Sequence, residues 1–167
     1  MMGPDLLGRL IDEHAAALVL YARQWCAAPE DVVQDAFVKL VRQKQPPDKA
    51  LSWLYRVVRN AAIDASRAAE RRRRHESKAA AHAPSWFCPA ERSEIDAETA
   101  SQALQTLPME QREVIVAHLW GGLTFEQIGE LIGASSSTAH RWYLAGLAAL
   151  RDKLGVACPT KTSIRNC

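Results

Sequence analysis

The chain has 167 residues, of which 48% are hydrophobic, and this composition excludes a largely disordered protein. No apolar run reaches the ~18 residues of a membrane-spanning helix, and the acidic first stretch does not resemble a secretory signal. We therefore expect no membrane insertion and a cytoplasmic location. Abundant alanine, leucine and arginine, with few aromatic residues, favour an all-α fold.

The formal net charge of +2 conceals an uneven distribution. Residues 51–78 carry a net charge of +5 and residues 135–167 a net charge of +4, whereas residues 79–134 carry −6. Two basic blocks separated by an acidic middle indicate two separate contacts with a polyanion. The four cysteines show neither a C-x-x-C pair nor zinc-finger spacing with histidine, so we expect reduced thiols, no metal and no cofactor.

The first half of the chain shows three helical periodicities. The first runs from about Asp5 to Cys26, and the second begins at Pro29, where a proline fits the first helical turn. The third runs from about Lys49 to Arg74. Besides its apolar arc, the third helix carries a polar stripe that ends in an arginine run: Trp53, Arg56, Asn60, Asp64, Arg67 and Arg71. We expect Asp64 to pair with Asn60 or Arg67, while Trp53 could equally be a core residue or a stacking face.

Residues 75–92 contain prolines and small residues without a clear period, which predicts a linker. Helical patterns resume at Ser93, with one helix ending near Leu107 and the next beginning at Pro108, with Val114, Ile115 and Leu119 facing inward. Thr124 is expected to cap a short helix with Gln127 as its capping-box partner.

Residues 123–154 follow the pattern of a helix-turn-helix, in which Gly133 ends the short helix and Ser135 caps a longer one. In such motifs the N-terminal half of the second helix enters the major groove and needs hydrogen-bond donors and a small apolar contact there. The outward face of this helix carries Ser137, His140, Arg141, Leu144 and Ala148. Its surface holds no acid as far as Arg151, which favours DNA binding.

Three segments in this order resemble bacterial sigma factors of the small extracytoplasmic-function (ECF) type. PEDVVQDAFVKLV (29–41) is similar to the helix of that family that binds core RNA polymerase. ALSWLYRVVRNAAIDASRAAERRRR (50–74) is similar to the promoter −10 segment, and residues 104–154 are similar to the −35-binding region. Departures from the family pattern are Ser135–Ser137 in the turn and His140 and Trp142 in the second helix.

The resemblance implies an all-α protein of two small helical domains: residues 5–74, which bind polymerase and recognise and melt −10 DNA, and residues 93–154, which recognise −35 DNA. Between them lies the linker 75–92, and residues 155–167 form a tail. The implied polymerase-binding residues are Asp31, Gln34 and Asp35. The implied −10 DNA-binding residues are Trp53, Arg56, Asn60, Arg67 and Arg71. The implied −35 DNA-binding residues are Thr124, Ser135, Ser137, Thr138, His140, Arg141 and Leu144. Family members are often held by an anti-sigma factor, so such a partner is also implied.

Two other functions compete with a promoter-specificity subunit. A stand-alone helix-turn-helix regulator would need an N-terminal ligand pocket, and residues 5–74 show no obvious pocket chemistry. An enzyme, such as a metal hydrolase using its histidines, would be expected to show an H-E-x-x-H, a G-x-S-x-G or a Gly-rich phosphate loop, and none of these occurs. We therefore expect no enzymatic activity.

Overall fold

The computed structural model describes residues 4–75 and 97–155, which form seven α-helices and no strand. The predicted linker and tail lie outside these ranges except for their first residues, His75 and Gly155, and Cys88, Cys158 and Cys167 also lie outside them. The first group of helices comprises α1 (Pro4–Ala22), α2 (Pro29–Val41) and α3 (Ala50–His75). The second comprises α4 (Ala97–Gln105), α5 (Met109–Leu119), α6 (Phe125–Ile132) and α7 (Ser136–Leu154).

The first group is held together by the apolar faces of its three helices, each of which packs against the other two. Pro29 opens α2, with Glu30 and Asp31 in the first turn, where carboxylates favour the positive end of the helix dipole. The fully buried side chains include Leu18 and Tyr21 from α1, Leu40 from α2, and Leu54 from α3.

The second group is built around α7, which packs against α4, α5 and α6. Gly146 makes a close approach possible, since a Cβ there would lie 2.6 Å from Cδ1 of Ile115 on α5. The buried side chains of α5 include Val114, Ile115 and Val116. They belong to the same hydrophobic cluster as Ile128 from α6 and Ala139 from α7.

The two groups also touch each other. α1 contacts α5, and α3 contacts α6, so the buried residues of both groups form one contiguous hydrophobic core. Gly121, which follows α5, lies against Tyr55 on α3, where a Cβ would come within 2.5 Å of the tyrosine hydroxyl. The sequence predicts the two groups but not this contact between them.

Three details differ from the sequence-based predictions. α1 ends at Ala22, and not near Cys26, because the chain leaves the helix in a turn before Pro29. Leu119 is 52% exposed, and not inward-facing, because α5 has reached its last turn there and no other element of the described chain covers it. Tyr55 and Ala62 are fully buried because the second group of helices packs on that side of α3. The helical period predicts a different apolar arc for α3, made of Leu54, Val57, Val58, Ala61, Ala65 and Ala68.

Candidate nucleic-acid and partner interfaces

The helix-turn-helix begins with a capped short helix. The Thr124 hydroxyl accepts a hydrogen bond from the Gln127 backbone N–H at 3.3 Å, and the Gln127 side chain accepts one from the Thr124 N–H at 2.9 Å. This is the predicted capping box, and it satisfies two backbone donors that the first helical turn leaves unpaired. Gly133 ends α6 with a φ of 73°, a left-handed conformation that glycine adopts without strain.

The second helix of the motif, α7, begins with the predicted Ser135 cap. The Ser135 hydroxyl accepts a hydrogen bond from the Thr138 N–H at 3.1 Å and lies 2.9 Å from the Thr138 hydroxyl. Thr124, Ser135 and Thr138 thus all take part in capping contacts, which fix the angle at which the chain enters each helix. Any contact of these three residues with DNA would add to that local role.

The outward face of α7 is exposed, as predicted. Ser137, His140 and Arg141 are exposed within the first two turns, and Leu144 follows with 52% of its surface exposed. No ion pair involving Arg141 is found in the described parts of the chain, so its guanidinium is available to an external acceptor. Ala148, by contrast, is half-buried.

An aromatic cluster packs beside this face of α7. Its members are His118, Phe125, His140 and Tyr143. The His118 ring stacks on Phe125 at 4.4 Å between centroids, and its Nδ1 lies 2.8 Å from the Leu123 carbonyl oxygen. Phe125 in turn meets the rings of His140 at 4.9 Å and Tyr143 at 5.4 Å. His140 therefore makes an edge-to-face contact with Phe125 at the start of α6, which orients the side chain while leaving it exposed.

The polar stripe of α3 forms a second exposed surface. Arg56, Asn60, Arg67 and Arg71 are all exposed, as predicted. Asp64 pairs with Arg67 at 3.8 Å, one of the two partners expected from the helical spacing. Trp53 is half-buried and packs against the hydrophobic core, which is one of the two roles left open by the sequence, while part of its surface remains exposed.

The end of α3 is strongly basic, and Glu70 neutralises part of it. The Glu70 carboxylate pairs with Arg73 at 3.0 Å and with Arg74 at 3.2 Å. Within the described residues, no ion pair is found for Arg71 or Arg72. The arginine run therefore presents two guanidinium groups that form no ion pair within the described chain, although Arg72 lines the same cavity as Asp31 and Asp35.

The acidic patch of α2 lies beside a cleft. Asp31, Gln34 and Asp35 are exposed on one side of the helix, and Asp31 and Asp35 also line a cavity of about 840 Å³. The cavity is bounded by the α1–α2 turn, the C-terminal half of α3, and Gln105 and Arg112 from the second group of helices. Gln34 is not among the lining residues, so it faces solvent away from the cleft.

Sequence reasoning missed the polar contact that joins the two groups of helices. Glu113 on α5 is only 4% exposed; it accepts a hydrogen bond from the Tyr21 hydroxyl at 2.5 Å and one from Arg59 Nε at 2.6 Å. The signal was present, because Glu113 lies three and four residues before the buried Val116 and Ala117. That spacing places its carboxylate on an apolar helix face, where a charge needs partners.

Burial and the Glu113 carboxylate shift the pKa values of three nearby side chains. Burial raises the pKa of Tyr21 well above its ordinary value, and the charge of Glu113 adds to the increase. Burial alone raises the pKa of Tyr55. Burial lowers the pKa of Arg59, but the hydrogen bond and the charge of Glu113 outweigh it, so the net shift is upward. All three groups therefore keep their protons at neutral pH.

The structure offers no alternative site for metal chemistry in the parts that it describes. No cluster of three His, Cys, Asp or Glu side chains is placed there to hold a metal ion. Cys26 is buried with a free thiol that lies 3.5 Å from the Ala22 carbonyl oxygen, and burial raises its pKa. Within the same residues, no helix is both long and apolar enough to cross a membrane.

Comparison with known proteins decides the family. The Sigma-70 region 2 family matches residues 10–72, and the Sigma-70, region 4 family matches residues 98–150. The chain is 33% identical over 165 residues to the ECF RNA polymerase sigma factor SigL of Mycobacterium tuberculosis, covering 90% of this chain and 92% of SigL. The chain belongs to the ECF sigma factors.

Another relative of this sigma factor is the RNA polymerase sigma factor CarQ of Myxococcus xanthus, 30% identical over 132 residues, or 77% of this chain and 76% of CarQ. Two solved structures share its fold. The sigma factor RpoE of Bartonella quintana, solved with the anti-sigma factor NepR, has a TM-score of 0.71 at 21% identity, covering 93% of this chain and all of that one. CnrH, solved with the cytosolic domain of CnrY, has a TM-score of 0.57 at 22% identity, covering 93% and 92%.

Membership in this family confirms the predicted all-α fold and the predicted general function. An ECF sigma factor directs core RNA polymerase to promoters, and its partners are the polymerase and promoter DNA. Sigma factors are generally transcription initiation factors without enzymatic activity.

Proposed function

We propose that three exposed surfaces of this sigma factor have separate binding functions. The acidic patch of α2 (Asp31, Gln34 and Asp35) binds core polymerase, the stripe of α3 binds the −10 element, and the outward face of α7 reads the −35 element. Residues 5–74 and 93–154 would form the two functional domains, and the protein would act in the cytoplasm without enzymatic activity of its own. The observation that carries the proposal is the separation of acidic and basic surfaces onto different helices of one fold.

The stripe of α3 has the chemistry that strand opening requires. Duplex melting unstacks bases at a cost of a few kcal/mol per base, so contacts to the opened strand must compensate. Trp53 offers an aromatic face, Asn60 a hydrogen-bonding amide, and the exposed arginines of the stripe offer partners for phosphates. The stripe includes Arg56, Arg67 and Arg71.

The outward face of α7 has the chemistry that base reading requires. Arg141 and His140 supply donors, Ser137 supplies a hydroxyl, and the exposed Leu144 supplies an apolar contact of the kind that packs against a thymine methyl group. Thr124, Ser135 and Thr138 would contact the adjacent phosphates from the helix N-termini, where backbone N–H groups favour anions. The cap bonds keep these three side chains in place for that contact.

An anti-sigma factor is the remaining proposed partner. Two proteins of the same fold were solved with protein partners: RpoE with the anti-sigma factor NepR, and CnrH with the cytosolic domain of CnrY.

The decisive test is reconstitution with core polymerase. A variant carrying Asp31→Arg, Gln34→Ala and Asp35→Arg should remain folded, because exposed polar substitutions usually change stability by less than ~0.5 kcal/mol. Its holoenzyme formation, measured by size-exclusion chromatography, and its run-off transcription should both fall sharply.

The matched control places the same charge reversal on α1, with Asp12→Arg and Glu13→Arg, both of which are exposed. This control should form holoenzyme as the wild type does. Undiminished holoenzyme formation by the α2 variant would refute the assignment of the acidic patch to polymerase binding.

A further inference from the structure

The boundary between the two groups of helices contains a buried ionic contact. Glu113 comes from the second group, whereas both of its partners, Tyr21 and Arg59, come from the first. Arg59 also places Nη2 3.4 Å from the second carboxylate oxygen, so both oxygens of Glu113 face the first group. Because the carboxylate is almost fully buried, moving the groups apart exchanges these bonds for water.

The surroundings of this contact are closely packed and apolar. Tyr21 meets Trp25 and Tyr55 edge to face, with ring centroids 5.0 and 4.9 Å apart. The Arg59 guanidinium lies 6.0 Å from the centre of the Trp25 ring. Gly121 completes the fit on the far side, since any side chain there would strike Tyr55. Apolar walls of this kind strengthen a charge-assisted hydrogen bond relative to one in water.

The closed arrangement is too small for the promoter sites that the chain would read. A compact protein with the 131 described residues has a radius of gyration of about 14 Å, so it is roughly 40 Å across. Promoter elements centred near −10 and −35 lie about 85 Å apart along straight B-DNA at ~3.4 Å per base pair. A chain with α1 against α5 and α3 against α6 therefore cannot engage both elements at once.

We infer that Tyr21, Arg59 and Glu113 form a polar latch that holds the free sigma factor closed, and that this latch must break before the chain engages both promoter elements. This inference rests on the proposed division of the surfaces between −10 and −35 recognition. The latch sets the fraction of free chain that is competent for promoter binding, and the apparent affinity of a partner that selects the open form falls with that fraction.

Opening the latch also changes the surface of α3. Arg59 precedes Asn60 in the chain and lies beside the exposed stripe, yet its guanidinium is turned to Glu113 and its side chain is only 25% exposed. Separation of the groups frees this cation next to Arg56 and Asn60. The open chain thus presents more positive charge to a DNA strand than the closed chain does.

The test measures the distance between the two groups in the full-length free chain. Fluorescent labels at Lys39 on α2 and Asp152 on α7, both exposed, report this distance by energy transfer, and small-angle scattering reports the radius of gyration. Glu113→Gln removes the charge of the latch. The matched control is Glu110→Gln, which removes an exposed carboxylate from the same helix.

We expect Glu113→Gln to lower the ratio of closed to open chains at least tenfold, with lower energy transfer and a larger radius of gyration, while Glu110→Gln matches the wild type. A Glu113→Gln chain that keeps the wild-type distance overturns the latch. If far-UV circular dichroism shows that this variant has lost helicity, Tyr21→Phe is used instead, because it removes one hydrogen bond and keeps the ring. Tyr21→Phe must then open the chain partially, and a closed Tyr21→Phe chain overturns the inference.

A second measurement separates the latch from the proposed function. With core polymerase, an opened Glu113→Gln chain should associate faster than the wild type by about the factor by which its open population rises. Association at the wild-type rate by a chain shown to be open overturns the regulatory role of the latch. If neither chain binds polymerase, the proposed function fails, while the distance measurement on the free chain still decides whether the latch exists.

Discussion

At the residue scale, Tyr21 and Tyr55 make a matched pair. Both are fully buried and their rings touch, but the Tyr21 hydroxyl donates to Glu113, whereas the Tyr55 hydroxyl has no hydrogen-bond partner among the described residues. Tyr21→Phe should lower the free energy of unfolding by about 1–3 kcal/mol, because it leaves a buried carboxylate with one donor fewer. Tyr55→Phe should leave stability unchanged or raise it, since it removes only an unpaired polar group.

Urea unfolding of the two variants, followed by circular dichroism, compares these substitutions directly. Each replaces one hydroxyl by hydrogen and keeps the aromatic ring, so each serves as the control for the other. Equal losses of stability would contradict the assignment of the Glu113 contact as the source of the difference.

Arg141 has the side chain best suited to recognise a base pair among the exposed residues of α7. Its side chain is exposed in the second turn of α7. Arg141→Ala should lower −35-dependent transcription and relax the preference at one base pair, because a bidentate arginine contact to guanine contributes about 1–3 kcal/mol of discrimination. Run-off transcription from a set of single-base promoter variants measures this. An equal decrease on every promoter would instead make Arg141 a phosphate contact.

Sequence reasoning succeeded for residues whose partners are near in the chain. The Asp64–Arg67 pair and the cap bonds of Thr124 and Ser135 follow from spacings of three residues, and all are present. It failed for Glu113, whose partner Tyr21 is 92 residues away. Helical periodicity indicates which residues share a face, but it contains no information about which distant helix covers that face.

At the element scale, the C-terminal end of α3 invites a test of phosphate binding. Replacing Arg71–Arg74 with glutamine removes four positive charges and changes helix propensity little. Arg71 and Arg72 have no ion pair in the described structure, so we expect these two to contact phosphates. The slope of promoter binding by holoenzyme against salt, on logarithmic axes, should then become shallower by roughly two.

The control removes four charges elsewhere, with glutamine at Arg9, Lys39, Arg42 and Lys44, all of which are exposed. That variant should keep the wild-type slope. Sequence preference should persist in both, because phosphate contacts position a protein without reading bases. An unchanged slope in a normally helical Arg71–Arg74 variant would show that the run is merely solvated.

The predicted elements were most accurate where a residue forces a boundary. Pro29 begins α2 and Gly133 ends α6, because proline lacks a backbone donor and glycine accepts a positive φ. The end of α1 was placed about four residues too late, since Trp25 and Cys26 continue the apolar period beyond the helix. An apolar side chain can pack against the core from a turn as well as from a helix. A prediction from periodicity alone therefore places the end of a helix too late.

At the scale of the whole molecule, the raised pKa values of Tyr21 and Tyr55 predict alkaline destabilisation. A tyrosine whose pKa is higher in the folded chain retains its proton after the unfolded chain has lost it. The stabilisation is complete below the unfolded value near pH ~10 and decreases as pH rises above it, by ~1.4 kcal/mol per pH unit for each group.

Urea unfolding between pH 8 and 11 tests this dependence. A variant with both Tyr21→Phe and Tyr55→Phe should lose stability less steeply above pH 10 than the wild type, because it lacks the two titrating groups. The two proteins carry the same lysines, so the contributions of those residues cancel in the comparison. Equal slopes would show that the two hydroxyls ionise as easily in the folded chain as in the unfolded one.

The sequence predicted the helices within each group better than the packing of one group against the other. Both groups of helices and the helix-turn-helix were predicted from periodicity and capping residues. The contacts of α1 with α5 and of α3 with α6 were not, because the boundary uses residues that also make good interior packing within one group. Tyr55 illustrates this, because a buried tyrosine ring would be expected equally in the core of an isolated three-helix bundle.

The unpartnered hydroxyl of Tyr55 has a consequence for how the molecule fluctuates. In the closed arrangement this oxygen lies against Gly121 and has no hydrogen bond within the described residues, whereas separated groups would let water reach it. Separation of the two groups therefore hydrates a polar atom that is dry in the closed arrangement. The amides of Gly121 and Leu123 donate to the carbonyl oxygens of Val116 and Ala117 at the end of α5, beside this boundary. In hydrogen–deuterium exchange, these two amides should exchange well before those in the middle of α7, because parting the groups lets water reach the last turn of α5.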